Sequence, residues 1–253
     1  MKIFVITHKK FQKVSRDPVY VPLLVGADHN TGESNYLKDN SIEDNISEKN
    51  SSFCELTGAY WIWKSVNEDI VGLCHYRRYF CLSKRLFPRM TILSEKQIKR
   101  ILQSYDIILP AKNNYEYNNK PSKEFFAENH DPDVWEKCKR IIKIRHQEYM
   151  SDFEWFEEET TGYCYNMLIA SKDIFDAYHE WLFDILFELE KITDLSKYNN
   201  YNTRMYGFVS ERLINVWCHH QKLRIKEMPV YNVDSPNILI KISQKVMRDL
   251  NKN

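Results

Sequence analysis

Short apolar runs of β type alternate with amphipathic helical segments along most of this 253-residue chain. Residues 2–7 and 106–110 have the composition of buried strands, whereas the apolar positions of 98–105 recur at i, i+3, i+4 and i+7, as on one face of a helix. This alternation predicts an α/β fold with a mostly parallel central sheet flanked by helices. No repeat or linker divides the chain, so we expect a single domain over 1–253, with 230–253 as a C-terminal extension.

Capping residues and prolines predict where the elements begin. Ser52 to Glu55 and Ser94 to Gln97 have capping-box spacing, and Asp131 with Pro132 supplies an N-cap and a first-turn proline. Pro22 confines the second strand to a strand start or a sheet edge. In chain order, the pattern predicts strands over 2–7, 19–26, 69–80, 106–110, 163–170 and 224–230, and helices that begin at 52, 94, 131, 171 and 209.

Two polar stretches, 27–50 and 111–129, are predicted to be long loops. The first is about twice the usual upper length of a structureless connection, and loops of that length usually act as lids or binding segments. A third, shorter loop is predicted over 199–206. We therefore expect part of the functional site to lie on the first loop.

The overall charge excludes one class of partner. The chain has 36 Lys and Arg against 35 Asp and Glu, a formal net charge of +1. A protein that binds nucleic acid through bulk electrostatics carries a large basic excess, so we expect no nucleic-acid partner, although a module built on the tyrosine-rich basic loops is the residual alternative.

The N-terminus and the cysteines both indicate a reducing compartment. The apolar stretch after Met1 is too short for a secretion signal, and no apolar run approaches the length of a membrane span. The six cysteines form no C-x-x-C pair and are predicted to be buried free thiols. We expect a cytoplasmic protein, with a peripheral membrane contact through the basic segment 241–253 as one alternative for that segment.

The absence of known motifs excludes several enzyme classes. The sequence contains no G-x-G-x-x-G, Walker A, G-x-S-x-G or H-E-x-x-H segment. With only 6 glycines it has little material for a glycine-rich phosphate loop, whereas 16 Tyr, 13 Phe and 6 Trp provide large amphipathic surfaces. No D-x-D segment follows a predicted strand, so we expect no divalent metal site and no other cofactor.

Basic side chains follow several of the predicted strands. Ligands of open α/β sheets bind beyond the carboxyl ends of the strands, so these residues are the candidates for a site. The clusters are Thr7-His8-Lys9-Lys10, His75 to Tyr79, Lys112 to Asn114 and Tyr206 to Arg212. Because three of the four carry positive charge, the sequence predicts an anionic small-molecule ligand.

The densest cluster is His75-Tyr76-Arg77-Arg78-Tyr79, at the end of the predicted strand 69–80. Arginine binds phosphate with two parallel hydrogen bonds, and tyrosine stacks on bases or sugars. In a regular strand Arg77 and Arg78 face opposite sides of the sheet. The alternative is that both arginines pair with surface carboxylates.

Glu211 is predicted to lie in the first turn of the helix that begins at 209. There the helix dipole stabilises the ionised carboxylate, as a general base requires. The alternative is an ordinary acidic residue paired with Arg212 or Arg204.

The chain resembles a domain of unknown function found in bacterial capsule and O-antigen gene clusters, whose members are described as glycosyltransferases, some of them galactofuranosyltransferases. The residues that carry the resemblance are 2–9, Val25 to Ala27, Asn45 to Ser47 with Lys49 and Asn50, Cys54 to Lys64 with Tyr-Trp-x-Trp-Lys at 60–64, His-Tyr-Arg-Arg-Tyr-Phe at 75–80, Asn166-Met167 and Tyr206 to Trp217. This resemblance spans residues 2 to about 230.

The resemblance implies a GT-A-like fold in which a sugar nucleotide binds at the ends of the first strands. In GT-A enzymes a D-x-D segment holds the metal ion on the diphosphate, whereas here the equivalent position holds His75 to Arg78. It also implies Glu211 as the catalytic base. The uridine would lie near Thr7, His8 and Lys9 under the loop from Asn45 to Asn50. Asn166 and Arg212 join the substrate-binding set through the matched segments.

These inferences together predict a glycosyltransferase that moves a sugar, galactofuranose or another hexose, from a UDP-sugar to a lipid-linked polysaccharide acceptor. The alternative is a non-catalytic glycan-binding or scaffold protein of the same assembly machinery, which would use its aromatic side chains to stack on sugars.

Overall fold

The computed structural model describes residues 1–84, 88–113, 119–199 and 201–234. Its strands are β1 (Lys2–Thr7), β2 (Tyr20–Leu24), β3 (Leu37–Lys38), β4 (Ile70–His75), β5 (Arg78–Phe80), β6 (Ile107–Pro110), β7 (Leu168–Ser171), β8 (Ile225–Met228) and β9 (Val230–Asn232). Its helices are α1 (Asn50–Phe53), α2 (Leu56–Ser65), α3 (Glu95–Leu102), α4 (Ser122–Asn129), α5 (Pro132–Arg145), α6 (Met150–Glu158), α7 (Lys172–Lys191) and α8 (Met205–His220).

The strands form one sheet in the order β3-β2-β1-β4-β7-β6-β8, with β5 paired to β4 and β9. All strands run in the same direction except β5 and β7, which are antiparallel to their neighbours. The predicted α/β fold with a mostly parallel sheet is confirmed. The segment predicted to be an extension begins with β9, and residues 241–253 lie outside the described residues.

The alternation of side chains along β1 supplies the core on both faces of the sheet. Phe4 and Ile6 belong to the larger apolar cluster, which contains side chains of α2 and of α4 to α8. Ile3 and Val5 point to the opposite face and pack in the smaller cluster with Ile98 of α3. Helices therefore cover both faces of the sheet.

The predicted strand 69–80 is wrong in one respect that matters for the site. The chain turns at Tyr76 and Arg77, and β5 folds back antiparallel to β4, with His75 opposite Arg78. Arg77 and Arg78 therefore lie on a tight hairpin at the end of β4, and the strand alternation expected for them does not apply.

Several helix boundaries also differ from the prediction. The helix predicted from Ser52 is divided at Cys54, whose positive φ of 54° separates α1 from α2. The loop predicted over 111–129 contains α4, and residues 114–118 are outside the described part of the chain. The strand predicted over 163–170 is shorter, as β7 begins at Leu168, and α8 begins at Met205 instead of 209.

The capping predictions at Ser94, Asp131 and Ser171 are confirmed. The Ser94 amide donates to Oε1 of Gln97, and the carboxylate of Asp131 and the hydroxyl of Ser171 accept from the first turns of α5 and α7. All six cysteines are free; Cys54 is half-buried and the others are buried. Within the described residues no helix is long and apolar enough to cross a membrane.

Candidate functional site

A cavity of about 470 Å³ lies at the carboxyl ends of β1 and β4. This is the edge of an α/β sheet where ligands bind, and the volume lies within the range of small-molecule sites. The cavity is lined by Ile6, Thr7, His8, Val25, Asn50, Ser51, Cys54, Glu55, His75, Tyr76, Arg77, Arg78, Arg204 and Glu211.

The buried carboxylate of Asp39 holds one wall of this cavity. Its oxygens accept hydrogen bonds from the amides of Gly26 (2.8 Å) and Ala27 (3.1 Å) and from the hydroxyls of Ser47 and Thr57 (both 2.6 Å). These four bonds join the end of β2 to the loop before α1 and to α2. They offset the cost of burying a charge and fix the segment that carries the cavity residues 50–55.

Gly26 is required at the end of β2 by both conformation and space. Its φ is +58°, and a Cβ at this position would lie 2.6 Å from Oδ1 of Asn50. Asn50 in turn donates to the carbonyl of Cys54 (2.6 Å), which closes the turn between α1 and α2. The predicted loop residue Asn50 therefore lines the cavity and also shapes it.

The β4–β5 hairpin supplies a cationic wall. Lys9 Nζ and Arg77 Cζ lie 5.7 and 5.1 Å from the ring centre of Tyr76, and Arg78 Cζ lies 4.5 Å from that of Tyr165. Arg77 also donates to Asp234 at 3.3 Å, an exposed pair that contributes little to stability. These contacts hold two guanidinium groups beside the cavity.

Two imidazoles lie in this positive field. Burial and the charges of Lys9 and Arg77 lower the pKa of His8. Burial also lowers the pKa of His75, opposed by Glu55 and assisted by Arg78. Both rings are therefore neutral at pH 7. Nε2 of His75 is buried, lies 3.9 Å from Oε1 of Glu55 and finds no hydrogen-bond partner in the described part of the chain.

Glu55 is a cavity carboxylate that sequence analysis assigned only to a capping box. As the N-cap residue of α2 it makes no side-chain cap, and its Oε1 instead accepts a hydrogen bond from Asn166 Nδ2 at 2.7 Å. Asn166 is held by Ser210, which donates to its Oδ1 at 2.7 Å. Asn166 thus positions Glu55 without itself lining the cavity.

Glu211 lines the cavity from α8, but not from the first turn as predicted. Since α8 begins at Met205, Glu211 lies in the second turn, where the helix dipole has largely decayed. Its Oε2 accepts from Arg212 Nη1 at 2.8 Å. The ion pair considered in the sequence analysis therefore exists, and Glu211 faces the cavity while making it.

The break between the first two helices brings Cys54 and Arg204 together. Arg204 Nε donates to Sγ of Cys54 at 3.2 Å. Burial and the nearby charge of Glu55 raise the pKa of the Cys54 thiol to about 12. Arg204 therefore adds a third guanidinium to the cavity, beside a thiol that stays protonated.

The predicted site residues divide into three groups. Those that line the cavity are Thr7, His8, Asn50, His75, Tyr76, Arg77, Arg78 and Glu211. Lys9 and Asn166 contact lining residues. Asn45, Tyr79 and Arg212 are not in the lining set: Asn45 bonds its own loop, Tyr79 is 1% exposed and packs on Tyr20, and Arg212 is buried behind Glu211.

Sequence analysis missed Glu55, Ser51 and Cys54 and treated Arg204 only as an ion-pair partner. Ser51, Cys54 and Glu55 lie at the helix break at Cys54, which no glycine or proline at that position signals, and Arg204 reaches the cavity from the start of α8. The described residues contain no group of three or more His, Cys, Asp or Glu side chains placed to hold a metal ion.

Comparison with known proteins identifies the family and a similar fold. None of the curated proteins matches the sequence significantly. Among solved structures, the fold is similar to that of the WbbM bifunctional glycosyltransferase in its apo form, with a TM-score of 0.82 and 29% identity. The similarity covers 92% of this chain and 45% of that one, so the chain spans less than half of WbbM. A family model matches residues 2–222, which confirms the predicted resemblance to a domain of unknown function, and the chain belongs to the family described as a domain of unknown function (DUF4422).

Proposed function

We propose that this protein is a glycosyltransferase that transfers a sugar from a UDP-sugar to a lipid-linked polysaccharide acceptor of a bacterial capsule or O-antigen. One observation carries the proposal: a cavity at the ends of β1 and β4 is lined both by the guanidinium groups of Arg77, Arg78 and Arg204 and by the carboxylates of Glu55 and Glu211. The similarity to WbbM, a protein named as a glycosyltransferase, supports the same reaction class.

The cationic wall is the proposed diphosphate site. Arg77 and Arg78 can bind phosphate oxygens with paired hydrogen bonds, and the buried Nε2 of His75 offers a further polar contact. Positive charges that are already in place stabilise the departing UDP without reorganisation. In this proposal arginine charge takes the role that a divalent metal ion has in D-x-D enzymes.

The uridine would lie against Thr7, His8 and Asn50, with Lys9 and Tyr76 at its edge. The backbone at Thr7 and the side chain of Asn50 belong to rigid parts of the sheet edge and of the loop that Asp39 holds. A polar, preformed surface of this kind suits recognition of a uracil and a ribose.

Glu211 is the proposed general base. Its carboxylate would accept the proton of the acceptor hydroxyl as that oxygen attacks the anomeric carbon of the donor sugar and UDP leaves. Arg212, which bonds Oε2, would orient the carboxylate. Glu55, fixed by Asn166, would accept hydrogen bonds from the donor sugar, galactofuranose or another hexose. Because the acceptor is lipid-linked, the reaction would take place at the cytoplasmic face of the membrane, with the protein in peripheral contact.

Calorimetric titration with UDP tests the proposal. We expect binding that Arg77→Ala weakens at least about tenfold, as for loss of one charge-assisted contact, and that a chelator leaves unchanged. Arg140→Ala, which removes an exposed arginine of α5, is the control and should bind as the parent protein does.

The outcomes separate the parts of the proposal. No UDP binding at all would refute a UDP-sugar transferase and, with glycan binding retained, would favour the non-catalytic glycan-binding alternative. Binding abolished by the chelator would refute only the metal-independent mechanism. Release of UDP from a UDP-hexose in the presence of an acceptor, lost in Glu211→Gln without loss of UDP affinity, would support Glu211 as the base.

A further inference from the structure

Three aromatic side chains form a contiguous group beside the cavity, which we name the aromatic platform: His130, Tyr201 and Phe208. The rings of His130 and Phe208 stack with centres 4.3 Å apart, and Tyr201 lies 5.0 Å from Phe208 and 6.0 Å from His130. Tyr201 is the outermost ring and is 55% exposed. A tyrosine with this exposure, supported by two further rings, is a surface ready to receive a ligand.

The platform continues the wall of the cavity. Arg204, Phe208 and Glu211 are spaced i, i+4 and i+7, so they share one face at the start of α8. Arg204 and Glu211 both line the cavity, and the guanidinium of Arg204 lies 5.6 Å from the Phe208 ring. An object that leaves the cavity past Glu211 and Arg204 therefore reaches Phe208 and Tyr201.

The chemistry of the platform differs from that of the cavity. The cavity presents charged groups, whereas the platform presents aromatic rings, one of them a neutral imidazole: burial lowers the pKa of His130, and its Nδ1 lies 3.1 Å from Oδ1 of Asn202. A diphosphate gains nothing from such a surface. A sugar ring does, because its apolar C–H face packs on an aromatic ring while its hydroxyls remain available at the edge.

We propose that the aromatic platform is the acceptor subsite, on which the terminal sugar of the acceptor glycan stacks against Tyr201 and Phe208 and presents a hydroxyl to Glu211. This inference rests on the proposed transferase function. It follows from geometry, since a general base must lie within hydrogen-bond reach of the hydroxyl that it deprotonates. Phe208 lies about one helical turn from Glu211, about 5 Å along the axis, which is comparable to the width of one sugar ring.

The experiment uses octyl glycosides of galactose, glucose, N-acetylglucosamine, mannose and rhamnose as probes, with saturation-transfer NMR on the UDP-loaded protein. We expect at least one of them to bind and Tyr201→Ala to weaken that binding roughly two- to tenfold, the range of one aromatic contact. Tyr201→Phe, which keeps the ring, should bind like the parent. Tyr105→Ala is the control, because Tyr105 lies by Lys226 near the end of α3, outside the cavity lining.

Each outcome has one meaning for the subsite. Unchanged glycoside binding in Tyr201→Ala, or no binding of any probe, refutes it. A parallel loss of UDP affinity in that variant also refutes it, because the platform would then hold the uracil. The affinity for UDP, measured separately by calorimetry, distinguishes these failures from failure of the proposed function, since a protein that binds glycosides but no UDP is not a UDP-sugar transferase.

Discussion

Replacing the buried Asp39 with asparagine tests its role both in the stability of the fold and in the shape of the cavity. The carboxylate accepts four hydrogen bonds, two at each oxygen: Ala27 N and Ser47 Oγ donate to Oδ1, and Gly26 N and Thr57 Oγ1 donate to Oδ2. Asparagine has the same shape, but one oxygen becomes an NH₂ group. Whichever way the amide is turned, that group faces a backbone N–H, which cannot accept a hydrogen bond.

The magnitude follows from this mismatch. A hydroxyl can rotate to accept from the amide, so Ser47 or Thr57 adapts, whereas the opposed backbone N–H of Gly26 or Ala27 is left without a partner at a cost of about 1–3 kcal/mol. The remaining bonds also lose the strength that a charged acceptor gives them. We expect Asp39→Asn to lower the free energy of unfolding by about 2–4 kcal/mol, which is a shift of roughly 1 M in the urea midpoint.

Urea unfolding and UDP calorimetry measure the two consequences. Because the loop that Asp39 holds carries Asn50 and Glu55, UDP affinity should also fall roughly tenfold, as ordering the loop becomes part of binding. Asp28→Asn is the matched control: Asp28 is exposed and accepts one bond from Asn40 (2.8 Å), so its loss should cost less than about 0.5 kcal/mol. An Asp39→Asn protein as stable as the Asp28 variant would refute the role given to the carboxylate, and normal UDP affinity in a destabilised protein would show that the loop does not form the site.

Three further predictions concern His179, Cys54 and Asn166. Burial lowers the pKa of His179 to about 3, whereas a histidine of the unfolded chain has a pKa near 6.5 and therefore takes up the proton first. The contribution of His179 to stability should be full above pH 6.5 and should fall by about 2 kcal/mol between pH 7 and pH 5. Urea midpoints of the parent and of His179→Gln at both pH values should show a shallower pH dependence in the variant. With its pKa near 12, the Cys54 thiol is about one part in 10⁴ ionised at pH 8. Its alkylation in the native protein, followed by mass spectrometry, should therefore be far slower than after unfolding, and rapid native alkylation would contradict the raised pKa. Asn166→Asp replaces the amide that donates to Glu55 at 2.7 Å with a second carboxylate, whereas Asn166→Gln keeps an amide donor. In urea unfolding at pH 7 we expect the aspartate variant to be less stable than the glutamine variant by roughly 1–3 kcal/mol. Equal midpoints would show that the Asn166–Glu55 hydrogen bond is not formed.

The sequence predicts well those elements whose stability is local. β1 contains the apolar run Ile3 to Ile6, α7 has a serine cap and a wide apolar stripe, and both elements begin within a residue of their predicted starts. The hairpin after β4 was missed because its turn, Tyr76-Arg77, contains none of the glycine, asparagine or proline residues that usually mark one. The early start of α8 was missed because Gly207 weakens the helical pattern, whereas its neighbours Met205 and Tyr206 are held by burial in the core.

The sequence likewise predicts those site residues whose position follows from local structure and misses those that depend on tertiary contacts. The residues of the cationic wall come directly after a strand in the sequence. The rule that ligands of α/β sheets bind beyond the carboxyl ends of the strands therefore finds His75, Arg77 and Arg78. Two other carboxylates depend on tertiary contacts: Glu55 has the spacing of a capping residue, but Asn166 bonds it from another element, and Asp39, which supports the cavity without lining it, is one polar residue among many in a long loop. Such residues become visible only when the fold brings their partners together.

Substitutions of the hairpin arginines and of Glu211 should have different effects on the proposed reaction. Arg77 and Arg78 lie on a hairpin whose strand β5 pairs with β9, whereas Glu55 directly precedes α2 and Glu211 lies in α8. We therefore expect a substitution of Arg77 or Arg78 to remove charge from the proposed diphosphate site, to leave the carboxylates in place and to raise the dissociation constant of UDP. A substitution of Glu211 leaves that charge in place and should lower turnover while UDP affinity is kept. The net charge of +1 does not argue against the proposed anion site, because the basic side chains of the cavity lining act locally on a ligand bound there.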